Sequence, residues 1–161
     1  MSERIAGKHG LAILMKSPAW LRSLTALVAF CLLSLANCEA LANPAVSGLA
    51  QTQLFAIGGI GVAGSTSDGE RDLRAVLDQP DAPALLHEIL SRATPAGQLY
   101  ALLGLRLRDR SAYEQALPAL RKRSDVISIA RGCMLMKEEM AAIVREIEHG
   151  NYDVAMTRPL H

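Results

Sequence analysis

The strongest helix signal in the chain is the segment TPAGQLYALLGLRL at residues 94–107. Thr94 followed by Pro95 is typical of a helix N-terminus, because a threonine hydroxyl caps free N–H groups and proline fits the first helical position. Gly104 costs roughly 1 kcal/mol in a helix interior, so we expect another helix to approach closely there. Apolar side chains follow at helical spacing, at Leu99, Leu102, Leu103 and Leu107.

Similar start signals occur on both sides of this segment. Ser67 with Glu70 and Ser111 with Glu114 match the capping-box pattern, in which a serine hydroxyl and a glutamate cap each other's backbone N–H groups. Pro80 and Pro83 mark a further start, which precedes apolar residues at helical spacing. The helix opened at Ser111 should end or kink at Pro118, which lacks an N–H group.

A last helix is expected over residues 137–149, with Gly150 as its stop. Four apolar residues should face the core from it: Met140, Ile143, Val144 and Ile147. The earlier helix starts, near residues 67, 80, 94 and 111, are 13–17 residues apart, and such short connections favour antiparallel packing. The sequence therefore predicts a mainly α fold, a compact array of antiparallel helices that resembles an α-solenoid.

A minor β element interrupts the helices. Residues 126–130, VISIA, alternate and are β-branched, which predicts a short strand. Its expected partner is residues 54–62, and a two-stranded unit must lie on the helices to be stable. The predicted organisation is a Gly-rich segment with a short strand at 43–66, a helical domain at 67–150, and a loosely packed tail at 151–161.

The first 42 residues match a bacterial secretory signal peptide. A basic start leads to the uncharged run LTALVAFCLLSLA at residues 24–36, which is shorter than the roughly 20 residues of a membrane-spanning helix. The small-x-small site at residues 40–42 predicts cleavage after Ala42 and a periplasmic or secreted protein. Met15, followed by a lysine, is a candidate for the true start.

A second cleavage chemistry stays open. Residues 35–38, LANC, resemble a lipoprotein signal in which Cys38 would carry a lipid anchor. Asn37 departs from the small residue that normally precedes such a cysteine, so we favour cleavage after Ala42. No stable transmembrane anchor is expected after cleavage.

The charge balance argues against a nucleic-acid partner. Residues 43–161 hold 13 of the 17 basic and 14 of the 16 acidic residues, which gives a net charge of about −1. Nucleic-acid binding proteins usually carry a basic patch and a basic balance.

If cleavage follows Ala42, Cys133 is the one cysteine of residues 43–161. Burial as a small hydrophobe is the expectation for a cysteine of this kind. The alternatives are an intermolecular disulfide, a reactive thiol, or a Cys38–Cys133 bridge if Cys38 is retained.

Two motif-like patterns lack the context that their chemistry needs. Residues 59–64 fit G-x-G-x-x-G, but turn-forming residues follow where a dinucleotide fold needs a helix. His87-Glu88 resembles the start of a zinc-protease motif, but Ser91 stands where the second histidine belongs. Glu146, Glu148 and His149 are expected to form a solvated helix face. We predict no cofactor, no metal site and no catalytic residue.

Several segments together resemble an uncharacterised group of small exported bacterial helical proteins. They are FAIGGIG at residues 55–61, the Ser67–Glu70 box, PAGQLYALLGL at residues 95–105, and Gly132-Cys133. The resemblance covers nearly all of residues 43–161. It implies export and a single domain, and it implies no activity, ligand or catalytic residue.

Three hypotheses about function follow. The leading one is a non-catalytic module, in the periplasm or secreted, that binds an unknown protein partner. The alternative is a thiol- or redox-responsive protein that acts through Cys133. A weaker alternative is a small enzyme that uses carboxylates such as Glu138, Glu139 or Glu146.

Overall fold

A computed structural model describes residues 43–159 of the chain. The predicted signal peptide, with Met15, Cys38 and the site after Ala42, lies outside these residues. The described helices are α1 (Pro44–Gln51), α2 (Asp68–Leu77), α3 (Ala82–Arg92), α4 (Pro95–Arg108), α5 (Arg110–Leu120), α6 (Met140–Glu148) and α7 (Asp153–Met156). The described strands are β1 (Leu54–Phe55), β2 (Val126–Arg131) and β3 (Met134–Glu139).

The protein is mainly helical, as predicted, and carries a small sheet of three strands rather than two. None of the helices in residues 43–159 is long and apolar enough to cross a membrane.

Helix α4 lies at the centre of the fold. Thr94 caps it as predicted, since its hydroxyl accepts a hydrogen bond from the Gly97 N–H at 3.1 Å. The helix contacts α1, α2, α3, α5, α6, β1 and β2. The expected close approach at Gly104 is confirmed, because a Cβ there would lie 2.6 Å from a methyl carbon of Leu86. Leu107, expected to face the core, is 40% exposed at the end of the helix.

The helix boundaries differ from the prediction at three places. Helix α1 was not predicted, although Asn43 caps it and Pro44 occupies its first turn. Helix α5 begins at Arg110 with Asp109 rather than Ser111 as its cap, since Asp109 accepts from the Ala112 N–H at 3.0 Å. Pro118 lies inside α5 and the helix ends two residues later, at Leu120. Pro118 removes the N–H that would bond the Glu114 carbonyl, which weakens the last turn without ending the helix at that residue.

The sheet has the order β1-β2-β3. β1 runs parallel to β2, with Phe55 beside Ile129, and β2 runs antiparallel to β3. Strand β2 was predicted, and its partner from the 54–62 segment was too. Strand β3 was not predicted: residues 137–139, expected in the last helix, belong to it, and α6 begins at Met140. The four apolar residues expected to face inward from α6 are all fully buried.

The backbone of Ala56 is bound by two hydroxyl groups. The buried Tyr100 hydroxyl accepts from the Ala56 N–H at 2.8 Å and lies 3.1 Å from its carbonyl oxygen. Ser67 donates to the same carbonyl at 2.7 Å and caps α2 by accepting from the Glu70 N–H. These bonds join α4, the end of β1 and the start of α2.

Glu70 and Arg74 attach the C-terminal residues to α2. The buried Glu70 carboxylate accepts from the Gly58 N–H at 2.9 Å and pairs with Arg74 at 2.8 Å, so it does not cap the Ser67 end of α2. Arg74 also donates to the carbonyls of Ala155 and Arg158. The tail was expected to be loosely packed; instead its residues up to Pro159 include α7 and are held by Arg74, which also bonds the Met156 carbonyl.

Removing the Tyr100 hydroxyl should destabilise the protein. We expect Tyr100→Phe to lower the free energy of unfolding by about 1–3 kcal/mol, because the buried Ala56 N–H is left without this acceptor. Urea denaturation followed by circular dichroism measures the loss. Tyr113→Phe is the matched control: its ring is equally buried, but its hydroxyl is bonded to the Arg106 side chain rather than to backbone. Equal losses in the two variants would contradict this role of Tyr100.

The same variant should change the response to alkaline pH. Burial raises the pKa of the Tyr100 phenol above its usual value of 10.0. The folded state thus favours the neutral phenol, so this contribution to stability is complete below pH 10 and is lost as the pH rises further. We expect the free energy of unfolding of Tyr100→Phe to fall less steeply between pH 10 and pH 11. For the wild type, the free energy of unfolding should fall with pH more steeply, by up to about 1.4 kcal/mol per pH unit. Identical slopes would contradict the effect.

Candidate functional site

The β2–β3 hairpin presents one free backbone edge. Gly132 and Cys133 form its turn, and Gly132 adopts a left-handed φ of 54°. Among residues 43–159, no strand pairs with the outer side of β3. Such an edge carries unpaired donors and acceptors that can bind another strand.

The pairing pattern identifies which groups of β3 point outward. At the base of the hairpin, the Met140 N–H donates to the Asp125 carbonyl at 2.8 Å. Because hydrogen-bonded pairs alternate along an antiparallel ladder, Met134, Met136 and Glu138 also bond toward β2. The N–H and C=O groups of Leu135 and Lys137 therefore point away from the sheet.

Three large apolar side chains are exposed at the turn end of the hairpin, and we call them the apolar tip: Val62, Met134 and Leu135. Their exposed fractions are 99%, 61% and 73%. The loop that carries Val62 lies against the turn, since the Gly61 N–H donates to the Gly132 carbonyl at 2.8 Å. Sequence reasoning missed this surface. The signal was the apolar run at residues 134–136 directly after a glycine-containing turn.

Cys133 is exposed in the hairpin turn. The expectation that it is buried is wrong, because a two-residue turn points its side chain away from the core that covers β2. Cys38, the alternative disulfide partner of Cys133, lies outside the described residues. In the described part of the chain, no other cysteine is present.

Two of the three carboxylates considered for catalysis, Glu138 and Glu146, are bound to one arginine. Arg131 contacts Glu146 at 2.8 Å and Glu138 at 3.1 Å. Tyr152 donates its hydroxyl proton to Glu146. Burial raises the pKa of the Tyr152 phenol well above its usual range, and the bond to Glu146 raises it further. Glu139 lies apart from this group, exposed at the start of α6.

The Gly-rich segment owes its glycines mainly to backbone conformation. Gly61 and Gly64 have φ of 71° and 65°, and the space around each is open, so their backbone conformation rather than close packing calls for glycine. At Gly59 the close packing is present, since a Cβ would lie 2.8 Å from the Gly64 carbonyl oxygen. The next helix, α2, begins only at Asp68, beyond the G-x-G-x-x-G pattern.

Two open clefts lie on the helical part. One, of about 490 Å³, is lined by Arg74, Leu77, Asp78, Leu107, Arg108 and Met156. The other, of about 340 Å³, is lined by Arg121, Ala141, Arg145, Glu148 and His149.

The remaining titratable candidates lie apart from one another. His87 is exposed on α3, and the neighbouring Glu88 pairs with Arg92. Glu148 pairs with Arg121. Within residues 43–159, no three His, Cys, Asp or Glu side chains are grouped so that they could hold a metal ion.

Comparison of the chain with models of protein families, with curated proteins and with solved structures gave no match.

Proposed function

We propose that this chain is a non-catalytic protein-interaction module that acts after export, in the periplasm or secreted. The observation that carries the proposal is the apolar tip beside the outward backbone groups of Leu135 and Lys137. Proteins usually shield such edges with charges, bulges or covering segments. Here the shielding charge, Lys137, protects the far end of β3 and leaves the turn end apolar.

The mode of recognition that this geometry favours is strand addition. An extended segment of a partner would pair with β3 through the outward N–H and C=O groups of Leu135 and Lys137, which gives affinity. The apolar tip would select side chains on that segment. Because the net charge of residues 43–161 is about −1, a protein partner is a better fit than a nucleic acid.

The arrangement of the helices forms part of this proposal. Two residues separate α3 from α4, and only Asp109 separates α4 from α5, so we infer antiparallel packing of these neighbours. The contacts of α4 with α1 and α2 favour a bundle around α4 over a solenoid, in which each unit contacts only its neighbours. The helices would then act as a rigid support for the hairpin.

A carboxylate-dependent enzyme is the weakest of the three hypotheses. Glu138 and Glu146 both form ion pairs with Arg131, and neither lines the clefts of about 490 Å³ and 340 Å³. A carboxylate that works as a general acid or base needs access to a substrate proton. Arg131 and Tyr152 instead occupy the Glu146 oxygens.

A thiol function is the second candidate, and the exposure of Cys133 favours it. An exposed thiol in an oxidising compartment can exchange with a disulfide of another protein. The thiolate of Cys133 would attack that disulfide, form a mixed disulfide, and release the partner's second sulfur as a thiolate.

A photo-crosslinking amino acid tests the interaction surface. Placed at Leu135 of the full chain in an exporting host, it should give adducts of higher mass, because the partner covers this side chain. The same amino acid at Glu114, which is exposed on α5, is the matched control and should give none. Absence of adducts at Leu135, or equal adducts at both positions, would argue against the docking surface.

Alkylation tests the thiol candidate. If Cys133 serves only as an exposed turn residue, a maleimide reagent added to intact cells should modify it fully, and non-reducing gels should show a single band. A band that is shifted without reductant, and lost in Cys133→Ser, would support the thiol function. Leu135→Ser serves as the control for changes at the hairpin that leave the thiol in place.

A further inference from the structure

We propose that the partner of β3 is β3 of a second copy of this chain, paired antiparallel about a twofold axis at Leu135. This inference rests on the proposed interaction function and names its partner. A twofold axis perpendicular to the sheet would join the two three-stranded sheets into a single six-stranded sheet. The faces that cover the two cores would then lie on the same face of the joint sheet. Such isologous contacts are the commonest way in which identical chains associate.

The charges along β3 restrict the register. An axis at Lys137 would place two ammonium groups directly opposite each other, and an axis at Glu138 would do so with two carboxylates. Like charges at directly opposed positions destabilise a sheet. An axis at Glu139 would again oppose two carboxylates, and an axis at Met134, the first residue of β3, would leave most of the strand unpaired. The charge pattern and the length of β3 therefore leave axes at Leu135 or Met136.

The apolar residues select between these two registers. An axis at Met136 would place the exposed Met134 opposite Glu138 of the second copy. An axis at Leu135 places Leu135 against its own copy and Met134 against Met136 of the second copy, so the apolar residues 134–136 face one another. This register brings the two most exposed apolar side chains of β3 to the interface, Leu135 at 73% and Met134 at 61%.

The backbone groups permit an axis at Leu135, as they also permit one at Met136, so the choice between the two rests on the apolar side chains. Leu135 and Lys137 carry the outward N–H and C=O groups, and a hydrogen-bonded pair must join two such residues. Leu135 would pair with its own copy, and Lys137 would pair with Cys133 of the second copy, whose backbone lies in the turn. The two Lys137 residues of the dimer are then four residue steps apart along the strand direction, a distance of about 14 Å.

This register also makes the association independent of the thiol. Each Cys133 lies opposite a Lys137 rather than the other Cys133, at a distance that no disulfide spans. The dimer would therefore form equally in Cys133→Ser, which separates this inference from the thiol candidate.

Sedimentation equilibrium of the purified protein tests the association. The Cys133→Ser protein should be in a concentration-dependent equilibrium between monomer and dimer. Adding Leu135→Lys should raise the dissociation constant at least about tenfold, because it places two ammonium groups on the axis. Val154→Lys is the matched control, since Val154 is apolar and 63% exposed but lies on α7, outside the hairpin; it should change the constant by no more than about twofold. Circular dichroism checks that each variant is folded.

Engineered cysteines test the register. In Cys133→Ser, Leu135→Cys should form an intermolecular disulfide with mild oxidant, because the Cα atoms of a hydrogen-bonded pair are about 5.5 Å apart. Lys137→Cys should not form one. A monomer at all concentrations, or faster crosslinking through Lys137→Cys, would overturn the inference. If the protein is monomeric but the crosslinker at Leu135 captures a different protein in cells, the second copy is excluded and the interaction function stands. If neither occurs, both proposals fall.

Discussion

The arrangement of the whole domain depends on the hydroxyl groups that bind the Ala56 backbone. Ala56 follows β1, and Tyr100 and Ser67 bind it from α4 and from the start of α2. Their bonds fix where β1 lies on the helices. Because β1 pairs with β2, these bonds also fix the position of the β2–β3 hairpin. The contact needs glycine at residue 69, since a Cβ there would lie 2.5 Å from the Tyr100 ring. A buried polar link of this kind stabilises one arrangement, because any other leaves its donors and acceptors unsatisfied.

A second set of bonds, made by Glu70 and Arg74, holds the C-terminal residues close to β1 and α2. Glu70 is 3% exposed, and it is tolerated there because Arg74 neutralises it and the Gly58 N–H binds it. Arg74 then binds three carbonyls of the tail, and Tyr152 places its ring edge-on to Phe55 at 5.3 Å. Phe55 in turn lies 4.8 Å from Tyr100, between centroids. The C-terminal residues thus pack against β1 through Tyr152, which helps to hold a strand of only two residues in place.

Local signals predicted most of the helical part and little of the candidate site. The caps at Ser67 and Thr94 and the apolar face of α6 could be found, because each depends on a few adjacent residues. Strand β3 could not, because Lys137 and Glu138 favour helix locally and are stabilised in the strand by tertiary contacts such as that of Glu138 with Arg131. The exposure of Cys133 depends on that same unpredicted hairpin. The tail was misjudged because the bonds of Arg74 to its carbonyls involve backbone groups, which leave no trace in the sequence.

The way the hairpin is attached makes its free edge suitable for recognition. Its base is held by the bond from Met140 to Asp125 and by the buried Ile127 and Ile129. Its turn is held by Gly61, and Arg131 near the turn is held by α6 through Glu146. A strand fixed at both ends loses little conformational freedom when it pairs, so more of the interaction free energy remains for binding. The exposed apolar side chains are therefore presented on a preorganised strand, and a partner would add to an existing sheet rather than order a loop.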